Sequence, residues 1–190
     1  MTCDVSGTGL RRAPLSEAGS PESETTHLAT TQRFMRRGVT KFYFLKAIAA
    51  ETNIPTRTEL GAANGTDLSG AISDIEGFGL ENSPIDTPDM GSAFTSNIPG
   101  EDKAENSALT FYEDKTGDTI ETLLSKNTEG FVVILRKGDQ PDSKSMDIFP
   151  VRVGSRSPSY TTGTEPAKFK VSFAITALPT LDAAVPTAGA

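Results

Sequence analysis

Residues 169 to 178 read FKVSFAITAL, and this stretch decides the predicted fold class. Apolar side chains occupy the odd positions from Phe169 to Ala177, while the even positions are mostly polar or small. Successive side chains of a strand point to opposite faces, so the alternation predicts a strand with one buried face and one solvent-exposed face.

An upstream segment, Phe149 to Gly154, reads FPVRVG and alternates in the same way. Between the two strands, residues 155–166 are rich in Ser, Thr, Gly and Pro, which is typical of a hairpin loop. The two strands are therefore predicted to form a long hairpin. We expect this hairpin to carry the working surface of the protein.

The composition favours one domain of ordinary size with a modest core. The chain has 190 residues, of which 36% are hydrophobic, and it contains no Trp. Association with further copies would help to stabilise such a core. No stretch approaches the roughly 18–20 apolar residues of a membrane span, and the N-terminus lacks the layout of a secretion signal. The sequence therefore predicts a protein that is made in a cytoplasm and kept there until a later assembly step.

The charge is unevenly distributed along the chain. The net charge is −7, yet residues 51–129 alone carry sixteen acidic and four basic side chains. Binding to a phosphate backbone needs clustered Lys and Arg, so this acidic middle disfavours nucleic-acid binding. It is compatible with a surface that lets a polyanion pass without holding it.

The chain is predicted to divide into three parts. Residues 1–37 have few large apolar side chains and are expected to form an N-terminal arm or a disordered extension. Residues 38–181 form the predicted β-domain, and residues 182–190 form a C-terminal tail. Within the domain, residues 82–100 are predicted to be a long irregular loop containing Pro84, Pro88 and Pro99.

One helix is predicted, over residues 115–127. Asp118 is a candidate N-cap, and Glu121 stands three residues later as in a capping box. Ile120, Leu123 and Leu124 form one apolar stripe, which must pack on a sheet because so short a helix is unstable alone. Residues 131–135 read FVVIL and predict a central strand buried on both faces.

Further strands are expected at residues 39–48, 71–81 and 104–113. The resulting element order predicts a mainly β fold, an antiparallel β-sandwich or partial barrel with one packed α-helix.

Nothing in the sequence predicts catalysis, a metal site or a cofactor. A hydrolytic nucleophile needs an activating imidazole, and the single histidine is His27, in the predicted arm. With Cys3 as the single cysteine, an internal disulfide is excluded and a Cys/His zinc site is not expected. The acidic pairs, such as Asp86 with Asp89, lie among Pro, Ser and Gly, where solvated loop charge is the favoured interpretation.

The chain resembles the major tail tube proteins of long-tailed (siphovirus-type) bacteriophages. The resemblance covers about residues 38 to 181, and its motifs are moderately specific. It is carried by the helix that leads into FVVIL, the hairpin formed by residues 146–153 and 169–178, and the segments KFYFL at 41–45, DLSG at 67–70 and DIEGF at 74–78.

The resemblance implies a structural subunit rather than an enzyme. Six copies would form a ring, inner strands would join into a β-barrel around a channel, and rings would stack into a tube in the virion tail. Double-stranded DNA would pass through without specific binding. The partners would be further copies and other tail proteins, such as the tape measure, terminator and distal tail proteins.

Two sets of residues are expected to meet these partners. The candidate channel-facing residues are Arg152, Gly154, Lys168, Lys170, Ser172, Ala174 and Thr176 on the hairpin, with Asp74 and Glu76 on a neighbouring strand. The candidate contacts between subunits or rings are Pro84, Asp86, Pro88, Met90, Phe94 and Ile98. With a net charge of −7 on each chain, the channel is expected to be negative and to repel DNA. The predicted hairpin is locally basic, which conflicts with this expectation.

Two alternatives stay open at this stage. Inner tubes of phage-derived contractile injection machines share the fold, and a sheath around the tube would distinguish them. A β-sandwich that binds some other partner protein is the second alternative.

Overall fold

A computed structural model describes residues 33–61 and 64–187 of the chain. The chain divides into two units, Met1–Phe34 and Met35–Ala190, and the second unit is the one described below. The predicted arm, residues 1–37, therefore lies almost wholly outside the described residues.

Ten strands and two short helices make up the described fold. They are β1 Lys41–Leu45, α1 Arg57–Leu60, β2 Gly65–Asp67, β3 Ile72–Glu76, β4 Leu80–Thr87, β5 Ser96–Ala104, β6 Ser107–Tyr112, α2 Thr119–Leu123, β7 Glu129–Leu135, β8 Lys144–Ser159, β9 Lys168–Ile175 and β10 Thr180–Ala184. All strand pairs are antiparallel. An eight-stranded sheet has the order β2-β1-β7-β8-β9-β6-β3, with β10 beside β8, and β4 pairs with β5 in a separate hairpin.

The central strand β7 is buried on both faces, which confirms the prediction for FVVIL. Its side chains alternate between two apolar clusters, because successive strand residues point to opposite faces. Val132 and Ile134 belong to one cluster, and Val133 and Leu135 belong to the other. Long β8 continues the same alternation beside it.

The sheet curls into a partial barrel, as predicted. The first cluster joins Phe42 of β1 with Leu109 of β6, although β1 and β6 are separated by three strands in the sheet. Helix α2 packs against this cluster through the predicted stripe of Ile120, Leu123 and Leu124. A curved sheet around one apolar interior, with a helix against it, is the predicted architecture in outline.

The helix is shorter than its sequence pattern predicted. It runs from Thr119 to Leu123, and the Asp118 side chain makes no capping hydrogen bond, so that part of the prediction is wrong. Asp118 has φ −118° and ψ 20°, which is not the extended conformation typical of an N-cap residue. A second helix, α1, was not predicted; Thr56 and Glu59 form its capping box, directly after Pro55.

Residues 71–104 contain the largest departure from the prediction. The expected strand 71–81 is broken at Gly77 and Phe78, whose φ angles are +71° and +60°. The expected irregular loop 82–100 is instead a hairpin of β4 and β5, whose only loop is residues 88–95. A bulge opposite Pro84 lets the ladder accommodate proline and continue, as the register shift between Ser83 and Ile85 shows.

The C-terminal segment also forms a strand. β10 pairs with β8, and Ala183 and Val185 are buried in the second cluster. The predicted boundary between domain and tail, at residue 181, falls inside this strand. Its Ala- and Pro-rich sequence gives little periodicity from which a strand could be predicted.

Candidate functional site

The predicted hairpin is part of a larger polar face that spans four neighbouring strands. β9 pairs with β8 on one side and with β6 on the other, and β6 pairs with the edge strand β3. We call the side of these four strands that lies away from α2 the polar face. It carries Arg152, Ser155 and Ser157 of β8, Lys168, Lys170, Ser172 and Ala174 of β9, Thr110 and Tyr112 of β6, and Asp74 and Glu76 of β3.

The register brings together the residues predicted to face a channel. Lys170 lies opposite Thr110, which lies opposite Asp74, and Ser172 lies opposite Ala108, which lies opposite Glu76. Arg152 lies opposite Ala174 at the other end. Thr176 follows the end of β9, where its backbone N–H donates to the Pro150 carbonyl at 3.0 Å.

Gly154 sits at a bulge in β8 rather than in the regular ladder. The register shifts between Val153 and Ser155, so Gly154 has no direct partner on β9. The Ser172 hydroxyl stabilises the bulge, because its Oγ accepts from the Ser155 N–H at 3.1 Å and lies 2.7 Å from the Ser155 Oγ. Such a bulge increases the local twist of the strand pair.

Cross-strand pairing neutralises the basic character of the predicted hairpin. Lys170 Nζ lies 2.6 Å from Glu76 Oε2, which links β9 to β3 across β6. Arg152 pairs with Glu129 of β7. Lys168 lies over the ring of Tyr112, with Nζ 5.6 Å from the ring centroid. Two of the three cations on this face are therefore paired with carboxylates, and the third lies over an aromatic ring.

One exposed aromatic ring lies on this surface, outside the predicted hairpin. Tyr112 lies on the polar face at the end of β6 and is 45% exposed. The alternation of β6 already put Tyr112 on the same face as Thr110. The pairing of β6 with β9, which brings that face to the hairpin, could not be inferred from the sequence.

Two strand edges beside the polar face have no strand partner. In the part of the chain that the structure describes, β3 pairs only with β6, which leaves its other edge free. β7 reaches along β8 only as far as Arg152, so the edge of Ser155–Ser159 away from β9 is also unpaired among those residues. Free edges of this kind can pair with another chain.

The six residues predicted to contact other subunits all lie on the β4–β5 hairpin. Pro84, Asp86 and Ile98 are in the strands, and Pro88, Met90 and Phe94 are in the connecting loop. Every one of them is exposed, Met90 fully and Phe94 by 76%. A two-stranded ribbon exposed on both faces is marginally stable by itself, so a partner surface would stabilise it.

The root of this hairpin is fixed to the core. The Phe78 N–H donates to the buried Ser107 Oγ at 2.9 Å, and the Ser107 hydroxyl donates to the Glu105 carbonyl. The Phe78 ring packs edge-on against Phe149, with centroids 5.4 Å apart. The ribbon therefore leaves the domain from a defined position.

The described residues offer no obvious chemistry. Within residues 33–61 and 64–187, no three His, Cys, Asp or Glu side chains come together as a metal site, and His27 lies outside those residues. Two lowered pKa values have structural causes: hydrogen bonding from Arg57 lowers the pKa of Asp139, and backbone N–H groups of Thr56 and Ala49 lower the pKa of Glu59. Neither described helix is long enough to cross a membrane.

A curled antiparallel sheet with a charge-balanced polar face, free edges and an exposed ribbon defines a subunit built for assembly with other chains. The family model for phage tail tube proteins matches residues 28–188. The chain belongs to the phage tail tube protein family and is a structural subunit of a tail tube.

Solved structures show the same fold at low sequence identity. The chain is similar to a subunit in the sheath/tube terminator of the extracellular contractile injection system PVC in its extended state, at 11% identity and a TM-score of 0.53 over 80% of this chain and 98% of that chain. It is similar to a subunit of the six-fold symmetrised baseplate of the anti-feeding prophage, at 12% identity and a TM-score of 0.50 over 81% and 99% of the two chains. Among curated proteins, no sequence matches this chain.

Proposed function

We infer that the chain forms six-membered rings that stack into a tail tube, with the polar face lining the channel. The single observation that carries this is the polar face itself, a charge-balanced surface flanked by two free strand edges. The six-fold symmetry of the baseplate that contains a similar chain supports the ring number.

Ring closure would use the two free edges. The free edge of β3 in one copy would pair with the unpaired edge of Ser155–Ser159 in the next copy, which extends the four-stranded polar face into a closed barrel. Closure removes edges that would otherwise pair at random. Residues 38–181 would supply this tube domain, and residues 1–37 an arm.

The channel surface would let double-stranded DNA pass without holding it. Lys170, Arg152 and Lys168 are each engaged by a neighbouring side chain, so they are less available to phosphates. Small side chains, Ser172 and Ala174, fill the space between them. Retention of DNA needs clustered free cations, which this face lacks among the described residues.

The tube would be part of the virion tail, assembled in the host cytoplasm. Its partners would be further copies of the chain and other tail proteins, namely the tape measure, terminator and distal tail proteins. The similar chains in a terminator and a baseplate support this last group. We infer no enzymatic activity.

Contractile particles are a second candidate setting, because the PVC and anti-feeding prophage structures come from such machines. Isolation of the native particle decides between the two settings. A sheath around the tube would assign the chain to a contractile machine, and a bare tube would assign it to a long non-contractile tail.

An exposed small residue on the polar face offers a test of the channel assignment. Ala174→Trp would place six indole rings in the channel of each ring, so we expect a folded monomer whose tubes are narrowed or fail to form. Ala184→Trp, on exposed β10, is the matched control. The measurement is negative-stain imaging at high protein concentration, with phage infectivity as a second readout; unaltered tubes and infectivity for Ala174→Trp would contradict the assignment.

A further inference from the structure

Edge strand β3 is held to the rest of the domain by little apolar packing. Among the described residues it pairs with β6 alone, and none of its five side chains is buried. Ile72 packs partly buried against the first cluster, whereas Ile75 is 45% exposed. A register shift between Ile72 and Asp74 interrupts the ladder to β6. We therefore expect β3 to open locally more often than the central strands.

An ion pair ties the end of β3 to β9. Lys170 Nζ lies 2.6 Å from Glu76 Oε2, which is hydrogen-bonding distance. The two residues do not share a level of the sheet, because Glu76 lies opposite Ala108 of β6 and Lys170 lies opposite Thr110. The pair therefore crosses β6 diagonally. Ala108 is 5% exposed although it lies on the polar face and belongs to neither apolar cluster, which fits side chains lying over it.

The effect of this pair is local. Both partners are about half exposed, so the pair adds little to the folding free energy of the domain. β9 is fixed independently, because it has ladders to β8 and β6 and its alternate side chains Phe169, Val171 and Phe173 are buried in the first cluster. The weakly packed strand β3 is therefore the partner that gains order from the pair.

The position of β3 matters because the two free edges of the polar face match along the sheet. Across β6 and β9, Glu76 lies at the level of Ser155, and Ile72 lies at the level of Pro158. Neighbouring strands of this face alternate in direction, so β3 of one copy and β8 of the next would run antiparallel in a ring with a rotation axis. A slip of β3 by one residue would exchange the side chains on its two faces.

We propose that the ion pair of Lys170 and Glu76 acts as a strap that holds edge strand β3 in the position needed for pairing with the next copy. The proposal rests on the inferred ring, in which β3 meets Ser155–Ser159, and it assigns two positioning residues to that contact. An edge that is already ordered loses less conformational freedom when it pairs, so the strap favours ring closure. The lysine then serves the subunit's own sheet.

Hydrogen exchange of the dilute, unassembled chain tests the strap directly. Lys170→Met is expected to raise the exchange rates of amides in residues 72–76 about two- to fivefold, the size expected for an exposed ion pair. Amides of β2, the edge strand at the other side of the sheet, should keep their rates, because opening of β2 leaves the pair intact. Added salt should speed exchange at residues 72–76 in the wild type and have less effect in Lys170→Met.

Assembly provides the second measurement. The protein concentration needed for tube formation, followed by light scattering and pelleting, is expected to rise about two- to fivefold for Lys170→Met. Lys170→Glu/Glu76→Lys keeps the net charge and restores an ion pair, so both readouts should return towards wild type. Lys170→Met/Glu76→Gln removes both charges and should keep the defect. Lys144→Met is the matched control, at an exposed strand lysine that forms no ion pair within the described residues.

The outcomes separate the strap from the inferred tube. If the wild-type chain forms neither rings nor tubes, the ring is contradicted, and exchange at residues 72–76 alone decides whether the pair holds β3. Wild-type exchange at these residues in Lys170→Met, or in Lys170→Met/Glu76→Gln, would overturn the strap while the tube stands, as would a reversed pair that fails to restore protection. Faster exchange with wild-type assembly would overturn its part in ring closure.

Discussion

Gly77 occupies a backbone position that no other residue fits. Its φ angle is +71°, and a Cβ at this position would collide with the Asn106 carbonyl and lie 2.9 Å from the Ser107 Cα. The neighbouring Phe78 tolerates a φ of +60° because its N–H and its ring are both held, by Ser107 and by Phe149. These two residues turn the chain from the sheet into the hairpin.

Gly77→Ala is therefore expected to destabilise the domain at the hairpin root. Strain at a positive φ, together with a backbone collision, should lower the free energy of unfolding by about 1–3 kcal/mol. Urea unfolding of the dilute, unassembled chain measures it. Gly70→Ala is the control, since a Cβ there meets nothing within 4 Å; equal effects of the two substitutions would contradict the account of this turn.

Asp139 supplies a pH-dependent contribution to stability. Arg57 of α1 pairs with Asp139 in the turn after β7, and this hydrogen bonding lowers the pKa of the carboxyl below its ordinary value of 3.8. A lowered folded-state pKa contributes stability that is present above the unfolded-state pKa and is lost as the pH falls through the folded-state value. The pH range over which this stability contribution is lost therefore lies below about pH 4.

Asp139→Asn should remove this contribution. Because the pair is partly exposed, we expect a loss of about 0.2–1 kcal/mol at pH 7. The difference in unfolding free energy between the two proteins should shrink as the pH approaches 3. Urea unfolding at both pH values measures it, with Asp86→Asn on the exposed hairpin as control; a difference that stays constant with pH would contradict the assigned cause.

At the scale of elements, the hairpin of β4 and β5 is separable from the core. It pairs only with itself, and its residues are exposed apart from the partly buried Thr87 and Gly100. The ribbon therefore contributes little to the folding of the domain. Its strand register, which continues across the bulge at Pro84, instead gives it a defined shape for a partner.

Replacing residues 82–102 by Asn-Gly, a sequence that favours a tight turn, is expected to leave the monomer folded with Tm within a few degrees of wild type. The same change should abolish growth of tubes while single rings still form, because the ring edges β3 and β8 are untouched. Thermal unfolding and negative-stain imaging measure the two effects. Tubes of normal length from the shortened chain would show that the hairpin has no part in stacking.

Strands with strong local patterns could be predicted from the sequence. The alternation of β9 and the continuous apolar run of β7 reflect burial on one face and on both faces, and both predictions are confirmed. The α2 stripe also packs as predicted. These patterns are local, because the spacing of apolar side chains within one strand or helix indicates which of its faces are buried.

The β4–β5 hairpin and the charge pairing on the polar face could not be predicted, because they depend on contacts between distant parts of the chain or with other chains. The β4–β5 hairpin has no buried face in the single chain, so it shows no apolar alternation and resembles a loop. The ion pair between Lys170 and Glu76 forms because β6 lies between β9 and β3 in the sheet. These strands are distant in the sequence, so their pairing is not visible in it. The sequence therefore predicts a basic hairpin, whereas Lys170 and Arg152 are paired with carboxylates on other strands.

At the scale of the whole molecule, the surfaces suit an assembly rather than a free monomer. The polar face has two free edges, the barrel has an open seam, and the hairpin exposes apolar side chains. Each is unfavourable in an isolated chain and would be covered in the proposed assembly. This pattern agrees with membership of the tail tube family, whose model spans residues 28–188.

A cryo-EM reconstruction of the assembled chain tests the central claim most directly. We predict a tube of stacked six-fold rings whose channel wall is the polar face, with Lys170, Glu76, Ser172 and Ala174 at the lumen and β3 of each copy beside Ser155–Ser159 of the next. A tube whose channel is lined by other strands, or a ring in which the polar face is covered by a neighbouring subunit, would contradict the claim.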